Sequence, residues 1–248
     1  MIDTILDHRT IRKYKNTPVE KEIINDLIKA GTRASTTGNM QLYSIIITTD
    51  EENKKRLAPS HFNQSMITEA PLLMTFCADF NRFNKWCELR KAKPGYDNFL
   101  SFTTAAIDAI IVAQNVALAA EDKGLGICYL GTTTYMAKNI IEILNLPKGV
   151  VPVTTLTIGY PGEDPSLVDR LPLEAVSHYE SYKDYTPEVI DNLYREKESL
   201  DEYKEFIKEN NKETLAQVFT DVRYKKEDNV SFSKLFLSVL EDQGFMNQ

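Results

Sequence analysis

Residues 102–126 read FTTAAIDAIIVAQNVALAAEDKGLG, and they constrain the structure more strongly than any other part of the chain. The stretch is apolar on nearly every side up to Gly124, which stands where a helix ends in a left-handed cap. A helix that is apolar all round is buried on all sides. In a chain of 248 residues, we expect this helix to lie at the centre of the fold and to meet a second subunit.

Shorter segments on either side of this helix predict a sheet and further helices. Runs of β-branched or apolar residues are typical of strands, and apolar residues three or four apart are typical of helices. The predicted strands are 43–49, 72–78, 127–130 and 150–160, and the predicted helices are 2–8, 20–33, 51–57 and 136–144.

The composition of the chain changes at Thr186. Beyond it the sequence predicts charge-rich, weakly hydrophobic amphipathic helices over 188–209, 213–225 and 231–242. Such a segment gains little by folding alone and is better suited to covering another body. We therefore expect residues 1–185 to form a core and residues 186–248 a helical extension that wraps a partner subunit.

Charge and cysteine content exclude several classes of protein. The net charge of −7 leaves no overall electrostatic footprint for nucleic acid. Three unpaired cysteines, with no export signal ahead of them, predict reduced thiols and a cytoplasmic location. Asp108, Gln114 and Asn115 interrupt the longest apolar stretch, so we expect no membrane span.

The stretch DHRTIRKY (7–14) carries the densest cationic cluster of the first fifteen residues. Taken alone, it has two interpretations. In one, the basic side chains form a solvated helix end. In the other, Arg9 and Arg12 bind an anion with their paired donors. Arg170 also has two interpretations: it is either a surface arginine or a second contact to the anion bound by Arg9 and Arg12. The loop STTGNMQ (35–41) offers hydroxyls and backbone donors suited to phosphate or a polyol.

Familiar catalytic motifs are absent from the sequence. GLGIC (124–128) closes a helix and precedes a strand, whereas a dinucleotide-binding glycine loop follows a strand and opens a helix. The three histidines, His8, His61 and His178, have no ligand partners at metal-binding spacing. No nucleophile has a neighbouring base, so we predict no catalytic side chain and no metal. If the chain is an enzyme, a cofactor supplies the chemistry.

Six stretches, taken in order and spacing over residues 2–182, resemble the nitroreductase family. The resemblance is closest to its oxygen-insensitive NADPH nitroreductase branch, also called the flavin reductase P-type branch. The stretches are HRTIRKY (8–14), AGTRASTTGNMQ (30–41), FCADFNR (76–82), DAIIVAQNVALAAEDKGLGICYLG (108–131), LNLPKGVVPVTTLTIGYPGEDPSLVDRLP (144–172) and HYESY (178–182).

This resemblance implies an α+β fold, with a mixed, mostly antiparallel sheet flanked by helices in an intertwined homodimer. It also implies an FMN site at the subunit interface. The residues that match the family's flavin contacts are His8, Arg9, Thr10, Arg12, Ser35, Thr36, Thr37, Gln41, Gln64, Tyr129, Leu130, Gly131, Thr132 and Arg170. With Arg9, Arg12 and Arg170 on its phosphate, the cationic cluster is better explained by anion binding than by solvation.

The implied activity is ping-pong hydride transfer from NADPH or NADH to nitroaromatics, quinones or free flavins. Three departures bear on it: Thr132 replaces a second glycine, Val168 replaces a lysine, and Ser233–Lys234 stand where the family has an arginine for the NADPH 2′-phosphate. Two alternatives stay open, a non-catalytic flavin-binding or scavenging protein and a reductive dehalogenase of the same superfamily.

Overall fold

The computed structural model describes residues 2–248 and contains helices packed on a single sheet. The strands are β1 (Tyr43–Thr48), β2 (Leu72–Asp79), β3 (Gly126–Leu130) and β4 (Val150–Gly159). The helices are α1 (Ile2–Leu6), α2 (Lys21–Gly31), α3 (Glu51–Leu57), α4 (Met66–Glu69), α5 (Asn81–Leu89), α6 (Phe99–Asp122), α7 (Thr132–Tyr135), α8 (Ala137–Leu144), α9 (Pro187–Ser199), α10 (Asp201–Glu209), α11 (Leu215–Val218) and α12 (Lys226–Asp242).

The sheet has the order β1-β2-β4-β3, and each neighbouring pair is antiparallel. The inner strand β2 is buried along its whole length, which explains why all its residues except Thr75 and Asp79 are apolar. Strand β3 lies at one edge and therefore has one side free of a neighbouring strand. The α+β fold with an antiparallel sheet is confirmed, and one parallel bridge joins Thr10 to Ile127.

Helix α6 lies at the centre of the core, as the opening stretch predicts. Its small and β-branched residues pack against α2 and the sheet, and ten of its residues are buried. The helix is long and apolar enough to cross a bilayer by length and composition. Its packing inside the protein identifies it as a core helix.

The contacts divide the chain into two compact units. The first comprises residues 1–166 and 232–248, and the second comprises residues 167–231. Within the first unit, Phe236, Val239, Leu240 and Phe245 pack in a cluster with Phe102 of α6. The end of α12 thus returns to its own core within a single chain. The expected extension over 186–248 that wraps a partner stays a prediction.

The remaining differences from the predicted elements are small. Residues 81–89 form α5, a helix that the sequence analysis did not predict. Helix α6 begins at Phe99, where the Asn98 side chain caps it by accepting from the Ser101 N–H at 3.0 Å. Cys77, Cys87 and Cys128 are buried and free.

Candidate cofactor site

The basic segment 8–14 lies beside the start of β3. The N–H of Ile11 donates to the carbonyl of Ile127 at 2.9 Å, next to the bridge made by Thr10. A Cβ at Gly126 would lie only 2.5 Å from Ile11 Cγ1, so glycine is required for this close approach. Tyr14 closes the segment by donating its hydroxyl to the Ile11 carbonyl at 2.7 Å.

Arg9 carries an unused donor. Its Nε is buried and has no hydrogen-bond partner among the described residues. A cavity of about 400 Å³ lies beside it, and its lining also carries the carboxylates of Asp3, Asp7, Glu121, Glu163 and Asp164. These carboxylates disfavour an anion inside the cavity itself. The buried, unpaired guanidinium N–H is nevertheless costly, and a phosphate oxygen in contact with Arg9 outside this acidic cavity would remove that cost.

The backbone of Arg12 is fixed by an acidic residue. Glu163 accepts from the N–H of Arg12 at 2.6 Å and from that of Lys13 at 3.0 Å. These hydrogen bonds, that of Arg12 first, lower the pKa of Glu163. The side chain of Arg12 stays exposed, so its guanidinium is free to meet a ligand.

His8 is engaged within the protein. Its Nδ1 lies 2.6 Å from Oε1 of Glu121, near the end of α6. This contact ties the segment to the central helix. A role of His8 toward a ligand stays a prediction, as does that of Thr10, whose backbone forms the bridge to Ile127.

The hydroxyl-rich loop 35–41 is anchored by a residue that the sequence analysis treated only as an interruption. Asp108, buried in α6, accepts from the Thr36 hydroxyl, from the Thr37 N–H at 3.0 Å and from the Thr37 hydroxyl at 3.2 Å. It also accepts from the Leu42 N–H at 3.3 Å. The hydroxyls of Thr36 and Thr37 thus face Asp108, whereas Ser35 is exposed. A lone carboxylate in an otherwise apolar helix is the signal that could have identified this anchor.

Gln41 closes the loop with a left-handed backbone, at φ 55°. Its N–H donates to the Thr36 hydroxyl at 2.9 Å, and its carbonyl accepts from Arg82 of α5. Arg82 also donates to the Tyr43 carbonyl at 3.4 Å. The loop is therefore held from both α6 and α5.

The end of β3 directs backbone groups toward the edge of the sheet, where the Tyr129 carbonyl accepts only from the Cys128 thiol, at 3.5 Å, among the described residues. The Ile127 carbonyl points away from β4, toward Ile11, and alternate residues of a strand direct their backbone groups to the same side. The N–H and carbonyl of Tyr129 therefore point to the free edge. Leu130 is buried, whereas a Cβ at Gly131 would meet no atom within 4 Å. The Tyr129 hydroxyl donates to Gln114 at 3.1 Å.

The buried residue His61 connects the end of β3 to Gln64, one of the predicted flavin contacts. His61 Nδ1 lies 2.8 Å from Thr132 Oγ1, and the Gln64 side chain donates to the His61 carbonyl at 3.0 Å. Burial lowers the pKa of His61 to about 4, so His61 is neutral at physiological pH. No local sequence pattern signals this contact, which gives the hydroxyl of Thr132 a partner that a glycine would lack.

The buried His61 predicts a loss of stability in mild acid. The unfolded chain protonates this histidine near the ordinary pKa of about 6.5, whereas the folded protein does so only near pH 4. The unfolded state therefore takes up more protons between these values, and the free energy of unfolding falls by about 3 kcal/mol from this group as the pH drops from 6.5 to 4. Urea unfolding at several pH values measures this fall in the free energy of unfolding.

His61→Asn is expected to remove this component of the pH dependence, and His178→Asn to retain it. Equal pH dependence in wild type and His61→Asn would contradict the assignment.

Arg170 belongs to the second compact unit. Its guanidinium is exposed and donates to the carbonyls of Val168 at 3.2 Å and Asp169 at 2.9 Å. Asp169 in turn accepts from Tyr203 at 2.6 Å and pairs with Lys197 at 2.9 Å. Burial of Asp169 opposes these contacts, which nevertheless lower its pKa overall. Convergence of Arg170 with Arg9 and Arg12 stays a prediction.

The predicted site residues thus form two groups in the first unit. The first group comprises segment 8–12, which is bridged to β3, and the residues from Tyr129 to Thr132, which His61 connects to Gln64. The other is the loop 35–41, held on α6 by Asp108. The first group fits FMN, because Arg9 has an unpartnered donor for a phosphate and the edge beyond Tyr129 is open for a planar ring. Residues 2–248 contain no cluster of histidine, cysteine or acidic residues suited to a metal ion.

Comparison with known proteins identifies the family and the fold. The Nitroreductase family model matches residues 5–160. An FMN reductase (NAD(P)H) of Bacillus subtilis is 36% identical over 205 residues, which are 82% of each protein. A crystal structure from Bacteroides fragilis, described as a candidate oxidoreductase, has a TM-score of 0.98 at 56% identity and covers 99% of this chain and 100% of its own.

The NfrA1 nitroreductase of Bacillus subtilis has a TM-score of 0.89 at 30% identity, with 100% of this chain and 99% of its own covered. The fold, the site and these likenesses define one class of protein, the flavin-dependent oxidoreductases with an α+β core. This chain belongs to the nitroreductase family, which confirms the resemblance carried by its motifs.

Proposed function

We propose that this protein is an NAD(P)H-dependent FMN oxidoreductase that reduces nitroaromatics, quinones or free flavins by a ping-pong mechanism. The observation that carries the proposal is the buried, unpartnered Nε of Arg9, on the segment that lies beside the edge strand β3. The name of the Bacillus subtilis relative includes both NADH and NADPH as donors, so both are expected co-substrates here.

The residues have distinct tasks in this mechanism. Arg9 and Arg12 would bind the phosphate of FMN, and the backbone from Tyr129 to Thr132 would line its ring. Bound FMN supplies hydride chemistry that no amino-acid side chain offers. The pair His61 and Thr132 holds the β3 end in place, so that the reacting rings meet in a fixed geometry. Solvent supplies the protons, and no side-chain acid is required.

The visible spectrum tests the proposal. The purified protein is expected to be yellow, to bleach when NADH or NADPH is added under nitrogen, and to regain its colour when menadione follows. A yellow protein that neither nucleotide bleaches would favour the flavin-scavenging alternative. A protein that stays colourless when FMN is added would contradict the proposal.

We further propose that two chains build each site. The exposed side of α6 carries Ile107, Ile110 and Ile111, which are 52%, 48% and 37% exposed. Their spacing places them on one helical face, and contiguous exposed apolar surface on a soluble protein marks an interface. The loop 35–41 of one chain would then complete the site formed by segment 8–12 and β3 of the other.

The double variant Ile107→Arg/Ile110→Arg is expected to convert a dimer into a monomer, because burying two unpaired charges in the interface is strongly unfavourable. Light scattering coupled to size exclusion measures the mass, and FMN content is expected to fall with it. Ile107→Leu/Ile110→Leu keeps the apolar face and is expected to remain dimeric. A double-arginine variant with the mass of two chains would place the interface elsewhere.

A further inference from the structure

The loop between α3 and α4 contains an unusual phenylalanine. Phe62 has φ 56° and ψ 31°, and the next residue, Asn63, has φ 54°. Asparagine tolerates this left-handed region, but a bulky side chain there is an outlier. Backbone strain of this kind collects at functional sites, where the surrounding structure holds it in place.

The Phe62 side chain joins two other aromatic rings. Its ring centre lies 6.1 Å from that of Phe232 on α12, and Phe232 stacks on Tyr135 of α7 at 4.5 Å with an angle of 10° between the rings. Phe62 nevertheless remains 51% exposed. We call Phe62, Tyr135 and Phe232 the aromatic ledge.

The aromatic ledge is connected along the chain to the candidate cofactor site. Phe62 follows His61, which contacts Thr132, and it lies two residues before Gln64. Tyr135 ends the short helix that begins at Thr132. Two chain segments that lead away from the predicted flavin contacts therefore both end in the ledge.

We propose that the exposed ring of Phe62 is a subsite that stacks the electron acceptor, and that it selects planar, electron-poor aromatic rings. The proposal rests on the proposed function and deepens it. Aromatic rings attract one another in stacked and edge-to-face geometries, and an electron-poor nitroaromatic or quinone suits the electron-rich face of Phe62. For a quinone, NAD(P)H supplies the hydride and solvent one proton, giving hydroquinone and NAD(P)⁺.

Packing alone does not account for Phe62. A residue placed for core stability would be buried, whereas about half of this side chain is open to solvent. Glycine would adopt the same backbone conformation at no steric cost. The chain instead keeps a large ring in a strained position at the border of the site.

Phe62→Gly tests the proposal, because it removes the ring and relieves the strain. The ratio of kcat/KM for menadione to that for ferricyanide, an acceptor without an aromatic ring, is expected to fall about fivefold, in line with the loss of one aromatic stacking contact. The Kd of p-nitrobenzoate for the oxidised holoprotein, measured by calorimetry, is expected to rise by a similar factor. Asn145→Gly relieves a left-handed residue elsewhere, at φ 52°, and is expected to change neither quantity.

Phe62→Leu keeps an apolar contact with Phe232 without the aromatic face, and it is expected to behave as Phe62→Gly does. If both variants keep the wild-type ratio of kcat/KM values and the wild-type Kd for p-nitrobenzoate, the subsite proposal is wrong. The proposed function would still stand in that case, provided that the wild-type protein reduces menadione. A wild-type protein that reduces neither menadione nor ferricyanide would overturn both.

Discussion

Arg9→Ala is expected to yield a protein that is purified largely without FMN, with a Kd for added FMN raised about 100-fold. The reason is that Arg9 holds a buried guanidinium donor with no partner among the described residues. Charge-assisted hydrogen bonds to phosphate contribute about 1.5–3 kcal/mol each. Fluorescence titration of the apoprotein with FMN measures the change, and Arg9→Ala/Arg12→Ala is expected to bind more weakly still.

Two controls separate phosphate binding from a general loss of charge. Arg9→Lys keeps the charge but loses the planar, paired donors, so its affinity is expected to fall between those of wild type and Arg9→Ala. Arg56→Ala removes an exposed arginine of α3 that contacts Asn53, and it is expected to bind FMN as wild type does. A double variant that is purified fully yellow would show that the phosphate lies elsewhere.

Asp108→Ala is expected to lower the free energy of unfolding by about 4 kcal/mol and to release the loop 35–41. Asp108 accepts from Thr36, Thr37 and Leu42 in the interior of the protein. Its removal leaves the buried Leu42 N–H and the partly buried donors of Thr36 and Thr37 without their acceptor, at a cost of about 1–3 kcal/mol for a fully buried donor and less for the others. Chemical denaturation measures stability, and faster amide exchange at Thr37 and Leu42 reports the freed loop.

Asp108→Asn offers a graded comparison, since its amide must turn an N–H toward at least one of the same donors. It is expected to cost about half as much as the alanine variant. Asp122→Ala changes an exposed residue at the end of the same helix and is expected to leave stability nearly unchanged. Equal stability of Asp108→Ala and Asp122→Ala would mean that Asp108 does not anchor the loop.

Most of the fold could be predicted from the sequence because its local signals agree with its packing. The apolar stretch around Ala109 and Val116 predicted the central helix, and the β-branched run over 43–49 predicted the strand that forms over Tyr43–Thr48. Helix α5 was missed because its mean hydropathy is low and the motif FCADFNR runs directly into it. The course of the chain after residue 166 depends on contacts that no local pattern encodes.

The site was harder to predict because side-chain partners distant in sequence create it. Arg9 and Arg12 could be singled out from charge spacing, but the unsatisfied donor of Arg9 appears only in three dimensions. Asp108 and His61 act on Thr37 and Thr132, each about 71 residues away. The left-handed backbone of Phe62 has no signal in composition, since phenylalanine is not a residue expected there.

A crystal structure of the yellow holoprotein is the most direct measurement of the central claim that arginines at the amino end bind the FMN phosphate. The account predicts that phosphate oxygens lie about 2.7–2.9 Å from the guanidinium nitrogens of Arg9, with Arg12 turned to the same group. FMN bound away from segment 8–12, with the Arg9 Nε still unpaired, would contradict it.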